Sequence, residues 1–382
     1  MKIVFVSNYL NHHQLPVAIE MCKRAEEYHF IATQPISQER LSLGYVDMNS
    51  NYPWVIKAYE SLEEWQKAET IIESADIVIF GAAPDRLIRK RLKQKKIVFY
   101  YSERIYKKKC EWYKWPLRLI KNFFKINRHK NSYMLCASAY TATDYAKTFS
   151  FWNKTYKWGY FVEVKKHRNI IELISKKKKG SILWVARFID WKHPEIPIEI
   201  VDRLKKNGYA VQLNMIGNGI MQETISNKIR ELGLEDSVHM LGSMSPEMVR
   251  THMEQSEIFL FTSDRNEGWG AVLGEAMNSA CAVVASHMIG ATPFLIKNNE
   301  NGLVYKDGNV EELYSKVKWL LDNPEQCMRL GKKAYETMTE QWNPEFATDR
   351  IISLYEDLKA TGKCNRFQSG PCSRAERIEE KI

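Results

Sequence analysis

The stretch SEIFLFTSDRNEGWGAVLGEAMNSACAVVAS, Ser256 to Ser286, is the part of the sequence from which the fold is read most directly. A short apolar and aromatic run gives way to a polar loop with glycines, then to helical spacing, and then to a second β-branched run, CAVVAS. Apolar runs of that length joined through a helix are the pattern of buried parallel strands. Glu267 and Glu275 stand eight positions apart inside it with no other acid between them. A helix beginning near Gly270 would aim the unpaired N–H groups of its first turn at the loop and create an anion site. Gly268 and Gly270 would let backbone approach a ligand closely. Glu267 would then stand at the mouth of that site, and Glu275 would reach another part of a bound molecule. Acids are also favoured near any helix start, so spacing alone leaves a purely solvated role open.

The same rhythm continues outward. In the second half, GSILWVARF, AVQLNMIGNG, SVHMLGS and SEIFLFTS alternate with helical stretches at 193–206, 221–232, 245–255 and 310–321. In the first half, KIVFVS, ADIVIFG, KKIVFYY and YMLCAS have the length and enrichment of buried strands. The fold class expected is α/β, with two Rossmann-like parallel-sheet domains facing across a deep cleft, the loops at their strand ends lining it. The expected division is 1–165, 166–345, a closing helix at 346–360 that returns to the first domain, and a polar, mobile tail at 361–382.

With 382 residues and 45% hydrophobic content, the chain can bury two cores. The opening MKIVFVSNYL lacks the features of a secretory leader, and no apolar run reaches the roughly 18 residues of a spanning helix. A cytoplasmic protein, or one held peripherally on the inner face of a membrane, is expected. Seven scattered cysteines without a CxxC pair argue against a disulfide framework and a structural zinc site. The net charge of +10 is uneven: between Arg86 and Lys130 there are 17 Lys or Arg and only two acids, Glu103 and Glu111. There CEWYKWPLRLIKNFFKINRHK interleaves the cations with Trp112, Trp115, Leu117, Leu119, Ile120, Phe123 and Phe124. That fits either a helix lying on an anionic membrane or a solvated basic face packed on its own domain. Nucleic acid is not expected, because no nucleic-acid module accompanies the charge.

Other strand ends supply further candidates. In WVARFIDWKHPE, Arg187 and Lys192 could neutralise a diphosphate, or be ordinary surface cations. Gly217, Asn218 and Gly219 in IGNGIMQE, and Gly242, Ser243 and Met244 in LGSMSPE, form turns that could border a flat base, although such turns occur in any tight βα unit. In the first half, His12 and His13 occupy the loop after the first strand, and Glu103 and Arg104 end the third.

The run EGWGAVLGE and its wider context, from FLFTSDRNEGWG to GATPFLIKNNENGLVYKDGN, resemble the donor-domain signature of the family 4 nucleotide-sugar glycosyltransferases, which have the GT-B fold. The resemblance covers most of Gly180 to Leu358; the first half shares only strand rhythm and an opening loop. It implies a retaining transfer of a hexose-type sugar from a nucleoside diphosphate sugar, UDP first and GDP next, without a metal or cofactor. The acceptor implied is a glycan or lipid-linked precursor of a surface polysaccharide or glycolipid. By the family pattern, Glu267 contacts donor-sugar hydroxyls, and the backbone of Gly268, Trp269 and Gly270 approaches sugar and phosphate, with Ala271 and Val272 opening the helix. Glu275 holds the ribose, Arg187 and Lys192 stabilise the departing diphosphate, and the 217–219 and 242–244 turns border the base. The first loop, NYLNHHQLP, departs from the glycine-rich loop of many members. YYSERIYKK has no histidine where many members have one, which leaves Glu103 or Arg104 to occupy that region. Three other readings stand beside this one: an epimerase-like or phosphorylase-like enzyme of the same fold, a non-catalytic binding protein that keeps the donor domain, and a basic nucleic-acid-binding protein.

Overall fold

The computed structural model describes residues 1–37, 46–107 and 115–380. Cys110, Glu111 and Trp112 of the basic region lie outside the described residues. The chain divides into two compact units, Met1–Glu163 with Asn343–Glu379, and Val164–Trp342 with Glu380–Ile382.

The first unit is built on a seven-stranded parallel sheet of order β3-β2-β1-β4-β5-β6-β7. Its central strands are β1 (Lys2–Ser7), β4 (Ile77–Phe80), β5 (Val98–Ser102) and β6 (Ser132–Cys136). They are flanked by β2 (Glu27–Ala32) and β3 (Val55–Lys57) on one side and β7 (Thr155–Lys157) on the other. Phe5 on β1 is paired with Phe30 on one side and Ile79 on the other. All three are at most 1% exposed, which is why these strands read as continuous apolar runs. The helix Pro344–Thr361 groups with this unit and packs against the helix Leu15–Arg24, where Arg24 Nε meets Asp349 Oδ1 at 2.5 Å.

The segment after Thr361, expected to be a mobile tail, is instead paired to the sheet edge. Lys157 N donates to Ser373 O at 2.8 Å, Cys372 N to Lys157 O at 2.7 Å, and Ala375 N to Thr155 O at 3.0 Å. Cys372, Ser373 and Ala375 are buried. An edge strand leaves a row of backbone groups unpaired, and the tail satisfies them on β7 although it carries no long apolar pattern of its own.

Not every cation of the basic stretch contributes to a surface field: Arg91 lies inside the first unit. It is 1% exposed, and its guanidinium donates to the carbonyls of Ile72, Ala75, Asp76 and Ile97 at 2.6–3.0 Å. Burial lowers its pKa to about 10.

The second unit carries a six-stranded parallel sheet of order β10-β9-β8-β11-β12-β13. Its strands are β8 (Lys178–Val185), β9 (Gln212–Ile216), β10 (Val238–Gly242), β11 (Ser256–Phe261), β12 (Ala282–Ser286) and β13 (Leu303–Tyr305). The chain runs outward from β8 through β9 and β10, then returns to β11 on the other side of β8. The order therefore reverses between β8 and β11, and in open α/β sheets a crevice opens beyond the strand ends at such a point. Lys177, just before β8, joins the opposite ends: its ammonium donates to the carbonyls of Met253, Glu254, Ser256 and Ser279.

Candidate functional site

The loops after β8 and β11 meet at this reversal. After β8 the chain forms a short 3-10 turn, Asp190–Lys192, and His193 takes a left-handed conformation with φ 52° before the helix Glu195–Lys206. After β11 it passes through Asp264–Gly270 into the helix Ala271–Asn278. Asp264 N donates to Trp191 O at 3.1 Å, and Glu267 N donates to Asp264 O at 3.1 Å. Asp264 Oδ1 accepts from Asn266 N at 2.7 Å and holds the turn. Below them, the Thr262 hydroxyl donates to Lys192 O at 2.7 Å and accepts from the Trp184 indole N–H at 2.9 Å.

On this frame the Lys192 ammonium and the Glu267 carboxylate form an ion pair. Their side chains are 11% and 12% exposed. The ammonium also lies 4.3 Å from the Trp191 ring centroid and 5.7 Å from that of Phe261. A cation so flanked is oriented by its aromatic neighbours as well as by its counter-charge.

Gly270 opens the helix at φ 89°, and a Cβ there would lie 2.6 Å from the Phe261 ring. Only glycine lets the chain turn this closely over β11. The helix carries no acid in its first turn, so the partial positive charge of its N-terminus is not offset there. Gly268 is buried and Val272 half-buried, while Ala271 is 8% exposed.

Glu275 follows within the second turn. Part of the residue reaches the surface, and among the described residues no hydrogen bond or ion pair engages its carboxylate. Desolvation holds its pKa above the usual carboxylate range, with the Arg250 guanidinium pulling the other way. Arg250 is itself fixed by Asn278 Oδ1 at 2.7 Å.

Arg187 lies just beyond β8, exposed and without a side-chain partner among the described residues. Beside it, Gly217 at φ 134° brings its backbone so near Ala186 that a Cβ would be 2.0 Å from the Ala186 carbonyl oxygen. Gly219 is pressed onto Phe188 in the same way, at 2.3 Å from its carbonyl oxygen. Gly217 N donates to Gly242 O at 2.8 Å, and a register shift at the end of β10 accompanies Gly242 at φ 71°. The turns at 187, 217–219 and 242–244 thus form one ledge, with Asn218 and Ser243 exposed and Met244 half-buried.

The Trp269 side chain lies in the core, which leaves the backbone contact expected of this residue open. Its side chain is 1% exposed and packs against Phe294 and Trp342, with ring centroids 6.2 Å away in both cases. The indole belongs to the core, and Trp269 O accepts from Ala291 N at 3.0 Å. His193, not singled out in the sequence, bonds through Nδ1 to Glu195 at 3.0 Å and stands 3.8 Å from Asp264 through Nε2. The Glu195 hydrogen bond raises its pKa. The flanking acid in WKHPE was the available signal.

In the first unit, His12 and His13 follow β1, with ring centroids 3.7 Å apart. His13 stacks on Tyr160 at 5.4 Å. The Tyr160 hydroxyl donates to Glu103 Oε1, and Lys107 reaches Glu103 Oε2 at 2.9 Å. These residues make one polar and aromatic cluster at the strand ends, in which Tyr160 was not foreseen. Arg104 is outside it. Its side chain is wholly buried, 3.7 Å from Asp144 and 4.8 Å from the Tyr140 ring centroid, so a role at a ligand-facing surface does not fit. A buried guanidinium needs such partners, and Asp144 with Tyr140 supplies them inside the unit.

A family model described as Glycosyl transferases group 1 matches residues 165–337, within the second unit. The chain is similar to an uncharacterized glycosyltransferase of Haemophilus influenzae, 24% identical over 58% of this chain and 61% of that protein. It is also similar to the poly(ribitol-phosphate) alpha-N-acetylglucosaminyltransferase of Staphylococcus aureus, 26% identical over 45% of this chain and 34% of that one. The matched part thus spans less than two thirds of either relative. Among solved structures, Anabaena Alr3699/HepE in complex with UDP superposes with a TM-score of 0.68 at 16% identity, covering 94% of this chain and 100% of that one. A glycosyltransferase from Rickettsia africae gives 0.66 at 16% identity over 94% and 99%. At these identities the likeness is one of fold: the chain has the two Rossmann-like units of the GT-B glycosyltransferase fold, and its second unit matches the group 1 glycosyl transferases.

Proposed function

We propose that the protein transfers a hexose-type sugar from a nucleoside diphosphate sugar to a glycan or lipid-linked acceptor, with retention at the anomeric carbon. The observation that carries this reading is the Lys192–Glu267 pair at the strand-order reversal of the second unit, with Arg187 just beyond β8 and Glu275 on the helix after β11, neither side chain hydrogen-bonded or ion-paired among the described residues. Cations there suit a diphosphate, a free carboxylate suits ribose hydroxyls, and the helix start at Gly270 suits a phosphate or sugar oxygen. The relatives named as glycosyltransferases and the UDP-bound Anabaena structure support the same assignment and make UDP the first candidate, with GDP next.

In the reaction proposed, an acceptor hydroxyl oxygen forms a bond to the anomeric carbon as the bond from that carbon to the diphosphate oxygen breaks. The hydroxyl proton passes to the departing diphosphate. Arg187 and Lys192 stabilise the charge that grows on the diphosphate, a contribution largest in the transition state. Glu267 holds donor-sugar hydroxyls while its pairing with Lys192 fixes both groups. Acceptor binding is assigned to the first unit, through the cluster of His12, His13, Tyr160 and Glu103.

The test is consumption of a panel of UDP- and GDP-hexoses by the purified protein, followed as release of the nucleoside diphosphate, with and without a lipid extract. Release from one donor, lost in Arg187→Ala, is expected. No release from any donor, by protein that also shows no nucleotide-dependent rise in thermal midpoint, would contradict the proposal.

A further inference from the structure

The helix Trp115–Asn122 in the first unit has no buried residue, although its apolar and basic residues are segregated. Leu117 and Ile120 are 71% and 58% exposed, and Phe123 and Phe124, in the turn that follows, are 54% and 57% exposed. A monomeric domain leaves single apolar side chains in water without consequence, but a contiguous group of this size marks a surface that meets something else.

A second segment, distant in sequence, extends the group. After the helix Thr141–Ala146, Phe149 and Trp152 are 62% and 54% exposed. The backbone there is unusual: exposed Phe149, buried Phe151 and Asn153 all take left-handed conformations, with φ of 52–54°. Three non-glycine residues in that region within five positions are sparsely populated geometry, retained where the surroundings or the function demand it. The two segments are tied together, since Trp115 Nε1 donates to Lys147 O at 2.8 Å and Asn122 Nδ2 to Thr148 Oγ1 at 2.8 Å. Between them lies an apolar groove of about 310 Å³, lined mainly by Leu119, Ile120, Phe123, Phe124 and Phe149.

Charge identifies the occupant. Neither 115–130 nor 145–154 contains an acid, while Arg118, Lys121, Arg128, Lys147 and Lys154 belong to these segments. A second copy of the chain would bring the same cations against one another, which is unfavourable. An anionic bilayer offers acyl chains to the exposed Leu, Ile, Phe and Trp and headgroup charge to the Lys and Arg beside them. We infer that this two-segment face of the first unit docks on an anionic lipid bilayer, with Leu117, Ile120, Phe123, Phe124, Phe149 and Trp152 entering the headgroup boundary. No helix of the described residues is long and apolar enough to cross a membrane, so the contact is a surface one.

The test is flotation of the full chain with vesicles of phosphatidylcholine alone and of an equimolar mixture with phosphatidylglycerol, at low and high salt. Binding is expected only to the mixed vesicles and is expected to weaken with salt. The F149S/W152S and L117S/I120S variants, at exposed positions, should each lower partitioning by about tenfold or more while the thermal midpoint stays unchanged. R118E/K121E should remove the dependence on phosphatidylglycerol and provides a check that alters no apolar residue. Absence of binding to the mixed vesicles would overturn the inference, as would equal binding by F149S/W152S. A concentration-dependent oligomer that dissociates in L117S/I120S, without vesicle binding by the parent, would assign the face to a second copy instead. Nucleotide binding does not enter any of these readouts, so the donor-site proposal and this one fail separately.

Discussion

Lys192 and Glu267, 75 positions apart in the chain, form an ion pair across the point where the strand order of the second sheet reverses. The pair is nearly buried, so neither partner can lose the other without consequence. Lys192→Met would leave the Glu267 carboxylate uncompensated and is expected to lower unfolding free energy by about 3 kcal/mol. The double variant Lys192→Met/Glu267→Gln should recover most of that in denaturant titration, yet remain inactive because both donor contacts are gone. Recovery of turnover together with stability would show the pair to be structural only.

Glu275 should display the opposite balance. Its folded pKa is raised by desolvation, so the folded state holds the proton more tightly than the unfolded chain. Stability is then greatest below the unfolded pKa and declines as pH rises towards the raised folded value, with no further change above it. Glu275→Gln removes that decline. The ligand-free protein is expected to gain about 1 kcal/mol at neutral pH, while UDP affinity falls roughly tenfold or more. Melting scans across pH with paired calorimetry check both, and a variant that loses stability without losing affinity would contradict the ribose role.

Arg187 is exposed and has no side-chain partner among the described residues, so Arg187→Ala should leave stability within about 0.5 kcal/mol of the parent. Turnover should fall by about 100-fold, and donor affinity by much less, because leaving-group charge is largest in the transition state. Initial rates and calorimetry separate the two; equal losses in both would assign Arg187 to ground-state binding.

The carbonyls around Arg91 give a prediction about the fold alone. Arg91→Met removes the donor to Ile72, Ala75, Asp76 and Ile97 together, and a loss of about 3 kcal/mol or more is expected in urea unfolding. A near-neutral result would mean that the carbonyls find other donors.

The sequence made the central strands legible because strands buried on both faces are continuous apolar runs, as in IVFV and IFLF. The candidate site residues were legible from their place after such runs: Arg187, Lys192 and Glu267 sit in the connections that follow them, and Glu275 on the helix beyond. Side-chain direction was not. Trp269 shares the EGWG loop with Glu267, but its partners Phe294 and Trp342 lie far along the chain, and nothing local marks the indole as core. Arg91 and Arg104 look like members of a basic surface because composition does not distinguish a guanidinium in water from one that collects carbonyls or meets Asp144. The pairing of residues 372–375 with β7 is carried by backbone atoms, which leave no pattern in residue type.

The measurement closest to the central claim is calorimetric titration of the purified protein with UDP and GDP, repeated on Glu275→Ala. Saturable one-site binding of at least one of the two is expected, weakened about tenfold or more when the carboxylate is removed while the variant stays folded. Absence of binding by folded protein to either nucleotide, or an affinity unchanged in Glu275→Ala, would contradict that claim.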